Sequence, residues 1–324
     1  MAAVAGGPGA ALPAPVAAVL RAAPSGWPVV AVEAADRGDW GLVAATVAGL
    51  AAVAAAALTL WAVLLRRPVA RAVVRGRRDG SWRPATALGA VVGKEVRTWS
   101  RDLVRIHFLA FCLVYAVTYA LLPLLIDVTD YLPLTGVFAV ALAVGSSAHL
   151  HSSDGTALWQ TLMLPGSVRA DIRGRQLAWL LVVTPPAVLL TVAGVAWHGE
   201  ARLAAWATGL LPVVLGAGAG LLVLMSVRMP IRMADPHRRG SNPGSDGGGI
   251  SGLVWLALLG LVVLTSPVLT LLVLGTVRDS APLLWLATPA GAVLGGLLAW
   301  GLGRLAAGHL SRRGPELLAK LGTA

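Results

Sequence analysis

The residues with the greatest chemical capacity lie in one polar stretch between two apolar runs, where His149, His151 and Asp154 are close in sequence. Imidazole and carboxylate groups are common metal ligands. Two histidines two positions apart on a helix point about 200° apart, so they can share one ion only where the chain is extended. No cluster of carboxylates or thiols elsewhere complements them. We therefore predict no metal site.

The pair Asp154-Gly155 also begins the motif of the phosphotransferases that act on lipid head groups. That motif continues with an alanine, an arginine and two further spaced aspartates. Here Leu158 stands in place of the alanine, Trp159 replaces the arginine, and the later acids are missing. The residues therefore argue against this enzyme, and we predict no catalytic residue in the chain.

A second glycine-containing stretch, from Gly89 to Glu95, partly matches a phosphate-binding P-loop. That motif needs four residues between its glycines, followed by Lys and then Ser or Thr. Only three residues separate Gly89 from Gly93, and Glu95 follows Lys94. A glutamate offers no hydroxyl to Mg²⁺ and repels phosphate, so we predict that this chain binds no ATP and has no cofactor of its own.

The amino-acid composition indicates the class of protein in which these residues lie. Of the 324 residues, 57% are hydrophobic and only 13% are charged, and the mean hydropathy is +0.77. A soluble domain carries about 25% charged residues. The net charge of +11 lies in short blocks between apolar runs, which argues against nucleic-acid binding. The single cysteine, Cys112, is in an apolar run and is predicted to pack there.

Seven apolar runs match the roughly 20 residues that a helix needs to cross a bilayer. We therefore predict an all-α, polytopic membrane protein with about seven spanning helices. The runs are 41–65, 107–126, 132–150, 176–197, 203–227, 250–277 and 282–302.

The basic residues give these spans a direction. Lys and Arg accumulate in cytoplasmic loops close to the membrane. Of the 26 Lys and Arg residues, 22 fall in alternate connections and in the C-terminal tail, and the other segments hold only Arg21, Arg37, Arg202 and Arg278. This asymmetry predicts an N-terminus outside and a C-terminus in the cytoplasm, in a multi-pass protein of the plasma membrane.

Two cytoplasmic segments are predicted to be more than linkers. Before the second span, Val92, Val96, Trp99 and Leu103 form one apolar stripe on a helix with a basic opposite face, which favours a helix lying in the interface over a solvated one. Between the third and fourth spans, Asp154 is placed to cap a helix from Gly155 to Met163.

The short second helix is predicted to carry an apolar face of Leu158, Trp159 and Leu162. Such a face would either dock a partner protein or pack against the chain's own membrane domain. Small-residue patterns at Gly216-x-x-x-Gly220 and Gly291-x-x-x-Gly295 predict close helix packing within or between chains.

These residues together resemble the membrane subunits of ABC-2-type exporters. The first resembling stretch is Lys94-Glu95, Trp99, Arg101-Asp102 and the span that follows, which is similar to the family's elbow helix. The second is Asp154-Gly155, Leu158-Trp159, Leu162, Leu164-Pro165-Gly166, Arg169, Asp171-Ile172, Gly174-Arg175 and Leu177-Ala178, which is similar to the loop that carries the family's coupling helix.

The resemblance implies a permease subunit that does no chemistry and forms a translocation path. It also implies a separate ABC ATP-binding subunit that binds ATP and Mg²⁺, and a homodimer or a heterodimer with another permease half within the lipid bilayer. A membrane-embedded lipid-modifying enzyme and a regulatory membrane subunit remain alternatives. A pathway without charged residues suits apolar substrates better than ions.

The expected organisation follows from the resemblance. Residues 1–38 form an Ala/Pro-rich extracytoplasmic leader, 39–66 an additional spanning helix, and 67–105 a basic cytoplasmic segment with the elbow. Residues 106–310 form the six-helix membrane domain and 311–324 a cytoplasmic tail. Because the family has six spans, the first span suggests a fragment of a longer permease or a variant with an added helix.

Overall fold

The computed structural model of the chain describes residues 21–24, 26–66, 86–125, 129–147, 158–164, 166–230 and 247–322. All regular secondary structure in these residues is helical, as the composition predicts. A 3₁₀ helix, Thr129–Leu134, leads directly into the α-helix Thr135–Ser147. The α-helices of the described part are α1 (Trp27–Asp36), α2 (Trp40–Arg66), α3 (Ala87–Arg101), α4 (Leu103–Leu125), α5 (Thr135–Ser147), α6 (Leu158–Met163), α7 (Ser167–His198), α8 (Ala201–Arg228), α9 (Gly247–Val277) and α10 (Ala281–Gly322).

Five helical segments of the described part are long and apolar enough to cross a membrane: the 3₁₀ helix together with α5, and α7 to α10. The number rises to six if α3 and α4, which meet at a bend of 73°, count as one broken span. In α2, the apolar stretch with described side chains is Trp40–Ala56, and the helix itself continues to Arg66. The helical membrane class is thus confirmed, whereas the total of seven spans is not.

The chain divides into two compact units, residues 1–82 with 125–127 and residues 83–124 with 128–324. In the first unit, α1 and α2 pack as a pair, and a Cβ added at Gly49 of α2 would overlap the ring of Trp27. The turn between them contains Gly38, whose φ of +74° favours glycine. Asp39 then accepts a hydrogen bond from the Leu42 N–H and caps α2 (3.0 Å).

The second unit is built around α8, which is buried along most of its length. Its glycines face those of α10: a Cβ added at Gly216 would overlap the backbone of Gly295, and one added at Gly291 would overlap the carbonyl oxygen of Gly209. The two backbones are therefore in direct contact, as small residues permit. Both small-residue patterns of the sequence serve packing within the chain.

Helix α7 is tied to this pair by polar side chains. The Gln176 amide donates hydrogen bonds to the carbonyl oxygens of Ala219 in α8 (3.2 Å) and Ala299 in α10 (2.8 Å). The indole N–H of Trp179 donates to the Ser147 hydroxyl of α5 (3.1 Å). Interhelical hydrogen bonds of this kind fix helix register where water is excluded.

Helix α10 extends well beyond the predicted span. It has 42 residues, and a straight helix of that length would measure about 63 Å, twice the hydrocarbon thickness. The tail predicted after residue 310 is therefore helical as far as Gly322. A kink at Arg313 (φ −120°, ψ 17°) precedes Pro315, whose missing N–H breaks the hydrogen-bond ladder there.

Candidate functional site

The elbow helix predicted from the sequence is α3. The Thr86 hydroxyl accepts a hydrogen bond from the Gly89 N–H (3.1 Å), which is a standard N-terminal cap. The helix ends at Asp102, whose backbone is extended (φ −81°, ψ 111°), and α4 begins at the next residue. This extended residue lies at the bend of 73° that separates the two helices.

The buried face of α3 differs from the predicted stripe. Trp99 is buried as expected, but Val96 is exposed and Glu95 is almost completely buried. The buried face therefore keeps Trp99 but includes Glu95 in place of Val96. From hydropathy alone, a carboxylate is expected on the exposed face of a helix. Here the Glu95 carboxylate is buried, and its partners are arginines from other helices.

The Glu95 carboxylate joins two helices to α3. Its Oε2 accepts a hydrogen bond from the Arg105 guanidinium of α4 (2.7 Å). Its Oε1 lies 3.3 Å from Nη1 of Arg175 in α7. The Lys94 ammonium, which is half exposed, lies 3.6 Å from Oε1. One buried acid is thereby shared by three cations.

Arg105 links α4 to α3 at the elbow. Besides Glu95, its guanidinium lies 3.8 Å from a carboxylate oxygen of Asp102 and 5.6 Å from the ring centre of Trp99. Cation–π contacts of this length are attractive. Arg105 of α4 therefore bridges the bend, because it contacts Glu95 and Trp99 of α3 as well as Asp102 at the bend itself.

On α7, Arg175 also donates a hydrogen bond from Nε to Asp171, one helical turn earlier (3.0 Å). Both side chains are buried. Between them lies Gly174, where an added Cβ would overlap the Val91 side chain of α3. This close approach of the two helices lets the side chain of Glu95 reach Arg175.

The cluster is balanced in charge, which is the condition for burying so many ionised groups. Removing a charge from water costs several kcal/mol unless partners compensate it. Among the described residues, two buried acids, Glu95 and Asp171, face two buried arginines, Arg105 and Arg175, and the partly exposed Asp102 and Lys94 add one charge of each sign. The members of this elbow cluster are Glu95, Asp102, Asp171, Lys94, Arg105 and Arg175.

Helix α6 is the described part of the predicted coupling helix. Leu158 is completely buried, which corrects its expected place on an exposed ridge. Leu162 packs against α10, where a Cβ added at Gly314 would overlap it. The outward side instead carries Trp159 (51% exposed) and Met163 (74%). One side of this helix therefore packs against the chain's own helices, and the other side is exposed.

The connection from α6 to α7 is short. Gly166 has a φ of +77°, a conformation that favours glycine. The Ser167 hydroxyl at the start of α7 donates hydrogen bonds to the carbonyl oxygens of Thr161 and Leu164. These hydrogen bonds link α6 and α7 at their junction. The remaining predicted residues of this element, Asp154 and Gly155, lie outside the described residues, as do His149 and His151.

Arg101 lies exposed at the end of α3 and forms no ion pair with the elbow cluster among the described residues, although the sequence grouped it with the elbow. Three members that matter, Arg105, Asp171 and Arg175, were not predicted as site residues. The i, i+4 spacing of Asp171 and Arg175 was a local signal for an ion pair. No local signal predicted the pairing of Arg175 with Glu95, because the two are 80 residues apart in the sequence.

The buried charged side chains of the elbow cluster, Glu95, Arg105, Asp171 and Arg175, are paired with one another. Within the described ranges, no group of three His, Cys, Asp or Glu side chains could hold a metal ion. No protein-family model, curated protein or solved structure matches the chain.

Proposed function

We propose that this chain is the membrane-spanning permease subunit of an ATP-driven exporter of the ABC-2 type, with ATP hydrolysed by a separate subunit. The observation that carries the proposal is that α3 and α6 both pack against the beginning of α7. An elbow and a short surface helix on one spanning helix are the two elements that such a permease requires.

The contacts provide a path for force. The exposed Trp159 and Met163 would sit on the ATPase, while buried Leu158 and Leu162 fix α6 to the membrane domain. Movement of α6 would reach α7 through the Ser167 hydrogen bonds. It would reach α3 through the Glu95–Arg175 ion pair. Closure of the ATPase would thereby tilt α7 and the elbow together.

A lipid-modifying enzyme is supported less well. Such an enzyme needs ionisable groups that are open to a substrate at the membrane surface. The acids of the elbow cluster, Glu95 and Asp171, are instead buried and neutralised by arginines. A regulatory membrane subunit would have no need for an exposed apolar ridge on α6, unless that ridge binds the protein it regulates.

The test is to purify the chain from its native membrane, identify any bound protein with Walker motifs and reconstitute the complex in liposomes. We expect Trp159→Glu to abolish transport-linked stimulation of ATP hydrolysis, because a charge replaces the centre of the apolar contact. Trp159→Phe should retain it. Leu158→Glu should instead reduce the yield of folded protein, because Leu158 is buried. Purification without an ATPase, or normal coupling in Trp159→Glu, would contradict the proposal.

A further inference from the structure

An open groove of about 1360 Å³ lies between α7, α8 and α10, separate from the elbow cluster. Among the described residues that line it, none is a carboxylate and six are arginines. They come from the start of α7, the end of α8 and the C-terminal part of α10. These residues, here called the arginine groove, are Arg169, Arg173, Arg228, Arg304, Arg312 and Arg313.

These arginines differ from those of the elbow in their partners. Arg105 and Arg175 are paired with acids, but none of the six forms an ion pair with a carboxylate among the residues that the structure describes. Like charges gathered around one cavity repel one another and raise the local concentration of anions. An anionic ligand would relieve that repulsion.

The groove is also apolar along one side. Leu297, Trp300 and Leu305 of α10 line it and are exposed. The Arg304 guanidinium lies 5.5 Å from the ring centre of Trp300. Tryptophan favours the level of the membrane where hydrocarbon meets head groups. The side chains therefore change from apolar to cationic along α10 at the level that a lipid head group occupies.

We propose that the arginine groove binds the head group of an anionic phospholipid from the leaflet at this end of the protein. The phosphate would be held by the arginines, whose planar guanidinium groups match phosphate oxygens in pairs. An acyl chain would lie along Leu297 and Leu305. Basic pockets between spanning helices are suited to such head groups. The proposal concerns membrane binding and is independent of the transport function.

The test uses the purified full chain, stripped of lipid in detergent, and native mass spectrometry. Dioleoylphosphatidylglycerol is the probe, and dioleoylphosphatidylcholine and inorganic phosphate are the comparisons. The paired variant Arg304→Gln/Arg312→Gln removes two charges from the groove. Its matched control, Arg202→Gln/Arg278→Gln, removes two exposed arginines that do not line the groove.

We expect the wild-type chain to prefer phosphatidylglycerol over phosphatidylcholine, and the groove variant to bind phosphatidylglycerol on the order of tenfold more weakly. The control variant should bind like the wild type. Should the groove variant fail to fold, the wild-type preference and the single variant Arg312→Gln decide the question.

Three results would overturn the proposal. The first is equal binding of the two lipids by the wild type. The second is equal loss in the groove and control variants. The third is complete displacement of phosphatidylglycerol by millimolar inorganic phosphate or by a poly-glutamate peptide, because the groove would then be a site for free anions or acidic protein segments.

Discussion

At the scale of single residues, Glu95 is the side chain on which the elbow depends. It is almost completely buried, yet it is charged and lies between guanidinium groups from α4 and α7. A buried ion pair adds little net stability compared with an apolar pair of the same size, but removing one partner is costly. Glu95 therefore specifies how three helices meet.

Replacing Glu95 with Ala is expected to destabilise the protein by about 3 kcal/mol, because two buried arginines lose a shared counter-charge. The readout is the free energy of unfolding in detergent micelles. Arg101→Ala is the control, since Arg101 lies exposed on the same helix and should change stability by less than about 0.5 kcal/mol. Equal stability of the two variants would show that the carboxylate does not hold the elbow.

At the scale of elements, hydropathy predicted which segments are helices because the bilayer demands long apolar runs. It located α7, α8 and α9 closely and gave α3 its amphipathic character. It could not predict that α10 continues to Gly322, because the helix leaves the membrane and its last turns are no longer apolar. It also predicted that Val96, not Glu95, is buried on α3, since the ion pair of Glu95 with a distant arginine is not visible in a local pattern.

The glycine pattern shows a different limit of local sequence. Gly291-x-x-x-Gly295 predicted a close helix contact, but any apolar helix was an equal candidate for its partner. The structure pairs it with α8, where Gly295 meets the backbone of Pro212 and Gly291 meets that of Gly209. The choice of α8 depends on the positions of all the helices in the unit, which no single segment encodes.

Gly295 and its neighbour Gly296 offer a matched test of this contact. Gly295→Ala should destabilise the protein by about 1–3 kcal/mol, because the added methyl group would overlap the Pro212 carbonyl oxygen. Gly296→Ala meets nothing within 4 Å and should be neutral or stabilising by up to about 1 kcal/mol through helix propensity. Thermal unfolding in detergent compares the two. Similar midpoints would mean that α8 and α10 are not in backbone contact.

At the scale of the whole molecule, the distribution of charge is strongly uneven. With the seven spans predicted from the sequence, 22 of the 26 Lys and Arg residues fall in alternate connections and the tail. The elbow cluster, α6 and the arginine groove all draw on those segments. If these segments are cytoplasmic, as the rule for basic loops predicts, the surfaces that could receive an ATPase and an anionic leaflet share one side of the membrane.

The most direct test of the central claim is a cross-link from α6 to the ATPase. The chain has one cysteine, Cys112, so a Cys112→Ala background gives a single reactive position in Trp159→Cys. Trp197→Cys is the control, because Trp197 is also exposed but lies near the C-terminal end of α7, whereas α6 adjoins its N-terminal end. We expect a maleimide cross-linker to join residue 159, and not residue 197, to the subunit that hydrolyses ATP. Cross-linking from residue 197 alone, or from neither position in an active complex, would contradict the account.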